Sequence, residues 1–275
     1  MFDATYVINL DRSPARWASA QRATTLAGLP NVIRMPAVDG LQLNTDTLAA
    51  LQHEGTLARD LSAFDDGFRH AEIACGLSHA RVLKEIMERG WRSALVLEDD
   101  IALTGAVADW PARFRAAYAD LPAHWELWYL HRCFDVRHRV QRISRRTVIP
   151  WTPESGAAYA VTARGAEILH AAITPLSRAV DLVYKDVVKT RHIVSFAASP
   201  MLLDPALGSQ RSQIRADAPA TQWLQNGVNR PPEYRPVRDL AYLGEPPPFT
   251  AFLAEWWSRR SATVRRLWQR SGAME

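Results

Sequence analysis

The chain has 275 residues, 48% of them hydrophobic and 23% charged, with a net charge of +4 and a pI near 9.3. That is the composition of an ordinary soluble globular protein with enough apolar material for one large domain or two small ones. Its two distant cysteines, Cys75 and Cys133, form no disulfide framework and no C-x-x-C metal pair, which fits a reducing cytoplasm. The basic excess is local, towards the C-terminus, rather than the uniform basicity expected of a nucleic-acid binder.

In chain order, Ala4 to Leu10 is β-branched and aromatic and predicts a buried first strand rather than a signal peptide. Ser13 and Pro14 stand at the cap and first position of a helix that stops near Gly28. Asn31 to Ala37 predicts a second strand, and Val38-Asp39-Gly40 a turn. Strand, helix and strand at this spacing make a βαβ unit and imply a parallel sheet. Residues 41–70 read as a loop or short helices. From Ala71 to Arg89, Ile73, Leu77, Ala80, Leu83 and Met87 recur at helical steps, and Gly90 ends the helix.

The next stretch is Ser93-Ala94-Leu95-Val96-Leu97-Glu98-Asp99-Asp100-Ile101. A buried strand running into three acids is a poor core, because unpaired carboxylates are costly to desolvate. On an extended backbone Glu98 and Asp100 point one way and Asp99 the other. The E-x-D pair suits a hard cation, Mn2+ or Mg2+, held through oxygen. The alternative is a strand end whose acids are solvated or paired with arginine.

Beyond it, Trp110 to Asp120 predicts a helix and Trp125 to Leu130 a strand. Phe134 to Arg146 is basic and predicted to be exposed. Thr147 to Pro150 begins another edge, Gly156 to Val161 is a small-residue strand, and a helix capped by Thr162 runs to Ala172. Asp181 to Thr190 is helical, and Ile193 to Ala198 is the last strand. Residues 219–248 form a Pro-rich arm. Residues 249–275 set Trp256, Trp257 and Trp268 against Arg259, Arg260, Arg265 and Arg266, the pattern of a basic amphipathic helix lying on an anionic membrane surface or docked on the core. No run of 18 apolar residues occurs, so no transmembrane helix is expected.

Three ordered stretches resemble glycosyltransferase family 25, the lipooligosaccharide-biosynthesis and procollagen galactosyltransferase family. They are Tyr6 to Arg16, Met35 to Gly40, and Ala71 to His79 leading into Val96 to Ile101. Gly156 to Thr162, Val180-Asp181 and Gln210 to Ile214 fit it more loosely. Where the family commonly has Gly before its Cys, this chain has Ala74. The resemblance implies an α/β, GT-A-like Rossmann-type fold with a mostly parallel sheet over residues 1–218. It implies a UDP-sugar donor, a divalent metal and inverting transfer, often of galactose. The acceptor is expected to be a saccharide or lipid-linked glycan, met at the cytoplasmic face of the cell membrane, as in lipopolysaccharide synthesis.

In that setting Asp100 is the expected metal ligand, with Glu98 its partner and Asp99 a ribose contact or structural acid. Asn9, Asp11, Arg12 and Arg16 are expected at the nucleotide, although Arg12 or Arg16 could instead pair with a structural acid. Asp39 is a ribose or base contact or a plain turn residue. Ser78 and His79 face the donor or pack in the core. Asp181 is the first candidate for the base that deprotonates the acceptor hydroxyl, with Asp186 and Glu154 as rivals. Gln210 and Ser212 close over the diphosphate, Arg211 or Arg215 neutralises it, and His192 is a weaker candidate metal ligand. Two other uses of these residues are a non-catalytic binding module and, much less favoured, a metal-dependent phosphohydrolase.

Overall fold

The computed structural model describes residues 1–205 apart from 134 and 136–138. The Pro-rich arm, the C-terminal helix and the boundaries drawn for them lie outside the described residues, as do Gln210, Arg211, Ser212 and Arg215. Six helices and ten strands follow one another as β1 (Ala4–Asn9), α1 (Pro14–Leu26), β2 (Val32–Pro36), α2 (Thr45–His53), α3 (Arg69–Glu88), β3 (Ser93–Glu98), β4 (Ile101–Leu103), α4 (Trp110–Ala119), β5 (Leu127–Tyr129), β6 (Gln141–Arg142), β7 (Thr147–Ile149), β8 (Ala158–Thr162), α5 (Ala163–Ala172), α6 (Val180–Lys189), β9 (Ser195–Ala198) and β10 (Leu203–Pro205) among the described residues.

Eight strands form one sheet in the order β2-β1-β3-β8-β5-β9-β7-β6. The β2-β1-β3 side is parallel, the signature of the βαβ unit that opens the chain. The sheet as a whole is mixed, because β8 enters antiparallel between β3 and β5, and β7 antiparallel beside β9. Strands β1, β2, β3, β5 and β9 still run the same way, so their carboxyl ends share one edge. A separate ribbon pairs β10 with β4. Neither strand is predicted from sequence: each is only three residues long, and one directly follows the acids.

The alternation of β-strand side chains divides the core into two layers. Tyr6, Ala94, Val96, Tyr159 and Val161 face α3, α5 and α6, where Ile73, Leu83, Leu169 and Tyr184 complete one cluster. Val7, Leu95, Leu97, Trp128 and Ala160 face α1 and α4, where Ala20, Trp110 and Phe114 complete the other. Helices therefore cover both faces of the sheet, which is why β1 and β3 read as continuous apolar runs. Trp110 is fully buried and its indole N–H donates to the Leu202 carbonyl at 2.7 Å, so this large side chain leaves no unmet donor.

Helix starts differ in how they are held. Thr162 accepts from the Gly165 amide and caps α5 as expected. Ser13 occupies the cap position of α1 without a side-chain capping bond, and Pro14 at the first position needs no amide partner. The segment expected as loop or short helices contains α2, closed at its start by a capping box between Asn44 and Thr47. No helix among the described residues is long and apolar enough to cross a membrane.

Candidate functional site

A cleft of about 650 Å³ opens at the carboxyl edge of β1 and β3. In α/β sheets ligands bind outside the carboxyl ends of strands, so the fold itself selects this edge. The turn after β1 contributes Arg12, the turn after β2 contributes Asp39 and Gly40, α1 contributes Arg16, α3 contributes Cys75, Ser78 and His79, and the end of β3 contributes Glu98, Asp99 and Asp100.

The backbone is extended only as far as Glu98. Asp99 and Asp100 form a turn before β4, so the grouping of the acids does not follow simple strand alternation. Glu98 continues the Ala94–Val96 face towards α3, and its Oε1 lies 3.5 Å from His79 Nε2. Asp99 and Asp100 are instead bridged from the α1 side. One Arg16 nitrogen lies 2.6 Å from Asp99 Oδ1 and 2.8 Å from Asp100 Oδ2. The second oxygen of Asp99 accepts from the Asn9 amide at 2.6 Å. Pairing with arginine, one of the two uses open to these acids, is therefore realised for two of the three. Asp100 Oδ1 is buried and has no hydrogen-bond partner.

The electrostatics follow. Burial raises the Asp100 carboxyl to about 6, and the charges of Glu98 and Asp99 add to that against the pull of Arg16. Burial also raises Asp99, opposed by the Asn9 bond and Arg16. Burial pushes Glu98 upwards too, but the attraction of the His79 imidazole, 3.5 Å away, outweighs it and holds Glu98 below its ordinary value.

Other predicted residues divide between the cleft and its supports. Arg12 donates to Asp39 at 2.8 Å while the other Asp39 oxygen accepts from the Leu41 amide, so Asp39 ties the two turns together. Burial opposes but does not cancel the Arg12 bond, and Asp39 titrates low. Asn9 is buried behind Asp99, and Asp11, whose side chain is 78% exposed, pairs with Arg34 outside the cleft lining. Ser78 accepts from the Val38 amide at 2.9 Å and donates to the Ala74 carbonyl, joining α3 to the turn after β2.

His79 is wholly buried. Its Nδ1 meets the Tyr159 hydroxyl at 2.9 Å, and Tyr159 in turn meets the Tyr184 hydroxyl at 3.2 Å. Asp181 lies in the first turn of α6, outside the cleft lining but within electrostatic reach of Glu154 and Glu98. Burial first, then Glu154, raises its carboxyl. Its rivals are already engaged: Glu154 pairs with Lys185 at 2.6 Å and Asp186 with Arg178. His192 is exposed and bonded to Thr190, and among the described residues it joins no group of three or more metal-ligating side chains.

Three features were not read from the sequence. Arg34 braces Asn9 and Asp11. Cys75 joins His79 and Glu98 with ligand atoms all within 4.8 Å of one another. His131 follows β5 at the same sheet edge, bonded through Nδ1 to Ser155 at 2.9 Å and 3.5 Å from Asp204. Burial lowers His131 to about 4, so it is neutral at pH 7. The signal for His131 was present: it follows an apolar strand, just as Asp99 follows β3.

The sequence model described as glycosyltransferase family 25 (LPS biosynthesis protein) matches residues 2–144. The chain is 36% identical over 104 residues to a "Glycosyltransferase 25 family member" of Drosophila pseudoobscura pseudoobscura, covering 36% of this chain and 16% of that protein. It is 26% identical over 251 residues to a protein of the same description from Drosophila melanogaster, covering 81% of this chain and 38% of the other. To "Procollagen galactosyltransferase 2" of Homo sapiens it is 26% identical over 234 residues, covering 74% of this chain and 35% of that protein. The chain thus spans well under half the length of these relatives.

Proposed function

The chain belongs to glycosyltransferase family 25, and from that premise we propose that it is a glycosyltransferase moving a hexose, galactose, from a UDP-sugar to the hydroxyl of a saccharide or lipid-linked glycan, with inversion. The observation that carries this reading is the convergence of Glu98, Asp99, Asp100, Arg12 and Arg16 on one cleft at the carboxyl edge of the sheet. A nucleoside diphosphate needs cationic groups for its phosphates and polar ones for its ribose, and both line this cleft.

The residues fit a hard divalent cation. Asp100 offers a buried oxygen with no partner and a carboxyl raised by burial, both of which a cation relieves. Asp100 would hold Mn2+ or Mg2+ with Glu98 beside it, and the ion would offset the charge that builds on the departing diphosphate. Arg12 and Arg16 orient the phosphates, while Asn9 and Arg34 hold Asp99 and the first turn in place. Asp181 takes the proton of the acceptor hydroxyl, whose oxygen attacks the anomeric carbon as the bond to the diphosphate breaks. A carboxyl raised by burial is a stronger base than an ordinary one. The basic aromatic sequence of residues 249–275 supports an acceptor held at an anionic membrane surface, such as a lipopolysaccharide precursor at the inner face of the cell membrane.

UDP release from a panel of UDP-sugars with Mn2+ and a saccharide acceptor tests the assignment. Release is expected, largest with UDP-galactose, and absence of release together with absence of sugar-nucleotide binding overturns it. A second reading, a non-catalytic sugar-nucleotide-binding module, is favoured by Arg16 already neutralising two of the three acids. Metal-independent binding without turnover is its signature.

A further inference from the structure

Cys75 and His79 are one helical turn apart on α3, so they share a face, and that face meets Glu98 at the end of β3. The thiol, the imidazole and the carboxylate each place one ligand atom within 4.8 Å of the other two. A tetrahedral zinc ion with bonds of about 2.0–2.3 Å holds its ligands roughly 3.3–3.8 Å apart. His79 Nε2 and Glu98 Oε1 already stand 3.5 Å apart.

Two further observations point to a ligand. His79 Nε2 is fully buried and has no hydrogen-bond partner, although the ring's other nitrogen is bonded to Tyr159. This is the arrangement that orients a metal-binding histidine: a partner at Nδ1 fixes the tautomer and leaves Nε2 for the metal. Opposite the pair stands Gly156. A Cβ there would lie 3.0 Å from His79 Nε2 and 3.4 Å from Glu98 Oε1, so a side chain would crowd the space between sheet and helix. Both Cys75 and Glu98 line the open cleft, which supplies an entry path and a fourth position for water or ligand.

We propose that Cys75, His79 and Glu98 form a binding site for a borderline divalent cation of the zinc type, with its fourth position facing the cleft. Sulfur and imidazole distinguish it from the hard-cation position at Asp100, because soft and borderline ligands select zinc over magnesium or manganese. Binding replaces the thiol S–H by a sulfur–metal bond and releases that proton to solvent. The proposal does not rest on glycosyl transfer, since an inactive chain with these residues would bind the ion equally well.

The test uses Co2+, whose bond to a thiolate gives a charge-transfer band in the near ultraviolet, and Zn2+ as competitor. The full-length chain, stripped of metal by a chelator, is titrated with Co2+. The band is expected to appear with one equivalent per chain and to be bleached by Zn2+. Cys75→Ser is expected to abolish the band while leaving the far-ultraviolet dichroism unchanged. Tyr159→Phe is expected to keep the band and weaken affinity about 10- to 100-fold, the usual effect of removing a histidine's outer partner. Asp100→Asn is expected to keep the band, because Asp100 belongs to the hard-cation position alone, whereas Glu98 borders both. No band in the unaltered chain overturns the proposal, as does a band that survives in Cys75→Ser, which would assign it to Cys133.

Discussion

Individual side chains at the carboxyl edge of the sheet are matched to roles by what already holds them. Glu154 and Asp186, the rivals for proton acceptor, are tied to Lys185 and Arg178, whereas Asp181 has a raised carboxyl that accepts from the adjacent Leu182 amide. Asp181→Asn is therefore expected to lower turnover about 10²- to 10⁴-fold while donor affinity changes little. Steady-state rates alongside calorimetric UDP binding check this, and full activity in the variant would move the base elsewhere. His131 gives a stability signature. Its folded pKa, near 4, lies below its ordinary 6.5, so between these values the unfolded chain binds the extra proton. Its contribution is complete above pH 6.5 and is lost as pH falls towards 4, a change of about 3 kcal/mol. Urea unfolding at pH 7 and pH 4.5 is expected to show a smaller acid-induced loss in His131→Gln than in the unaltered chain. An equal loss in both would refute this.

Elements with strong apolar patterns, either continuous runs or helical periodicity, were legible in the sequence. The strand Ala4–Asn9, the helix Arg69–Glu88 and the strand Ser93–Glu98 all lie within two or three residues of where the apolar runs and the helical spacing placed them. The short strands β4, β6 and β10 were not, because two or three residues cannot display a period and their pairing comes from distant chain. The antiparallel insertion of β8 was equally silent, since a strand buried on both faces reads the same in either direction. Close approach between elements is another property that sequence conceals. Gly165 in α5 packs so tightly on the backbone just before β5 that a Cβ would collide with the Glu126 carbonyl oxygen. Backbone cannot yield as a flexible side chain does. Gly165→Ala is thus expected to cost about 1–3 kcal/mol despite alanine's higher helix propensity. Thermal unfolding measures it, and an unchanged or raised midpoint would contradict the packing described.

For the whole molecule, the parallel β2-β1-β3 side and the family resemblance both direct attention to one edge of one sheet. The site there was partly readable. The acid run at Glu98–Asp100 and the arginines after β1 announced themselves as chemistry without a core role. Asn9, Ser78 and Asp39 were recognised as belonging to the region, but the structure shows them holding its walls. Arg34 and His131 were missed because the partners that give them a place lie 23 or more residues away in sequence, and Cys75 because the carboxylate that completes its group with His79, Glu98, is equally distant. The central claim is that this edge receives a UDP-sugar beside a divalent cation. A crystal structure of the full chain soaked with UDP and Mn2+ tests it most directly. The account predicts UDP in the cleft between Arg12 and α3, with the ion on Asp100 next to the diphosphate. UDP bound elsewhere, or an ion that leaves Asp100 untouched, would contradict it.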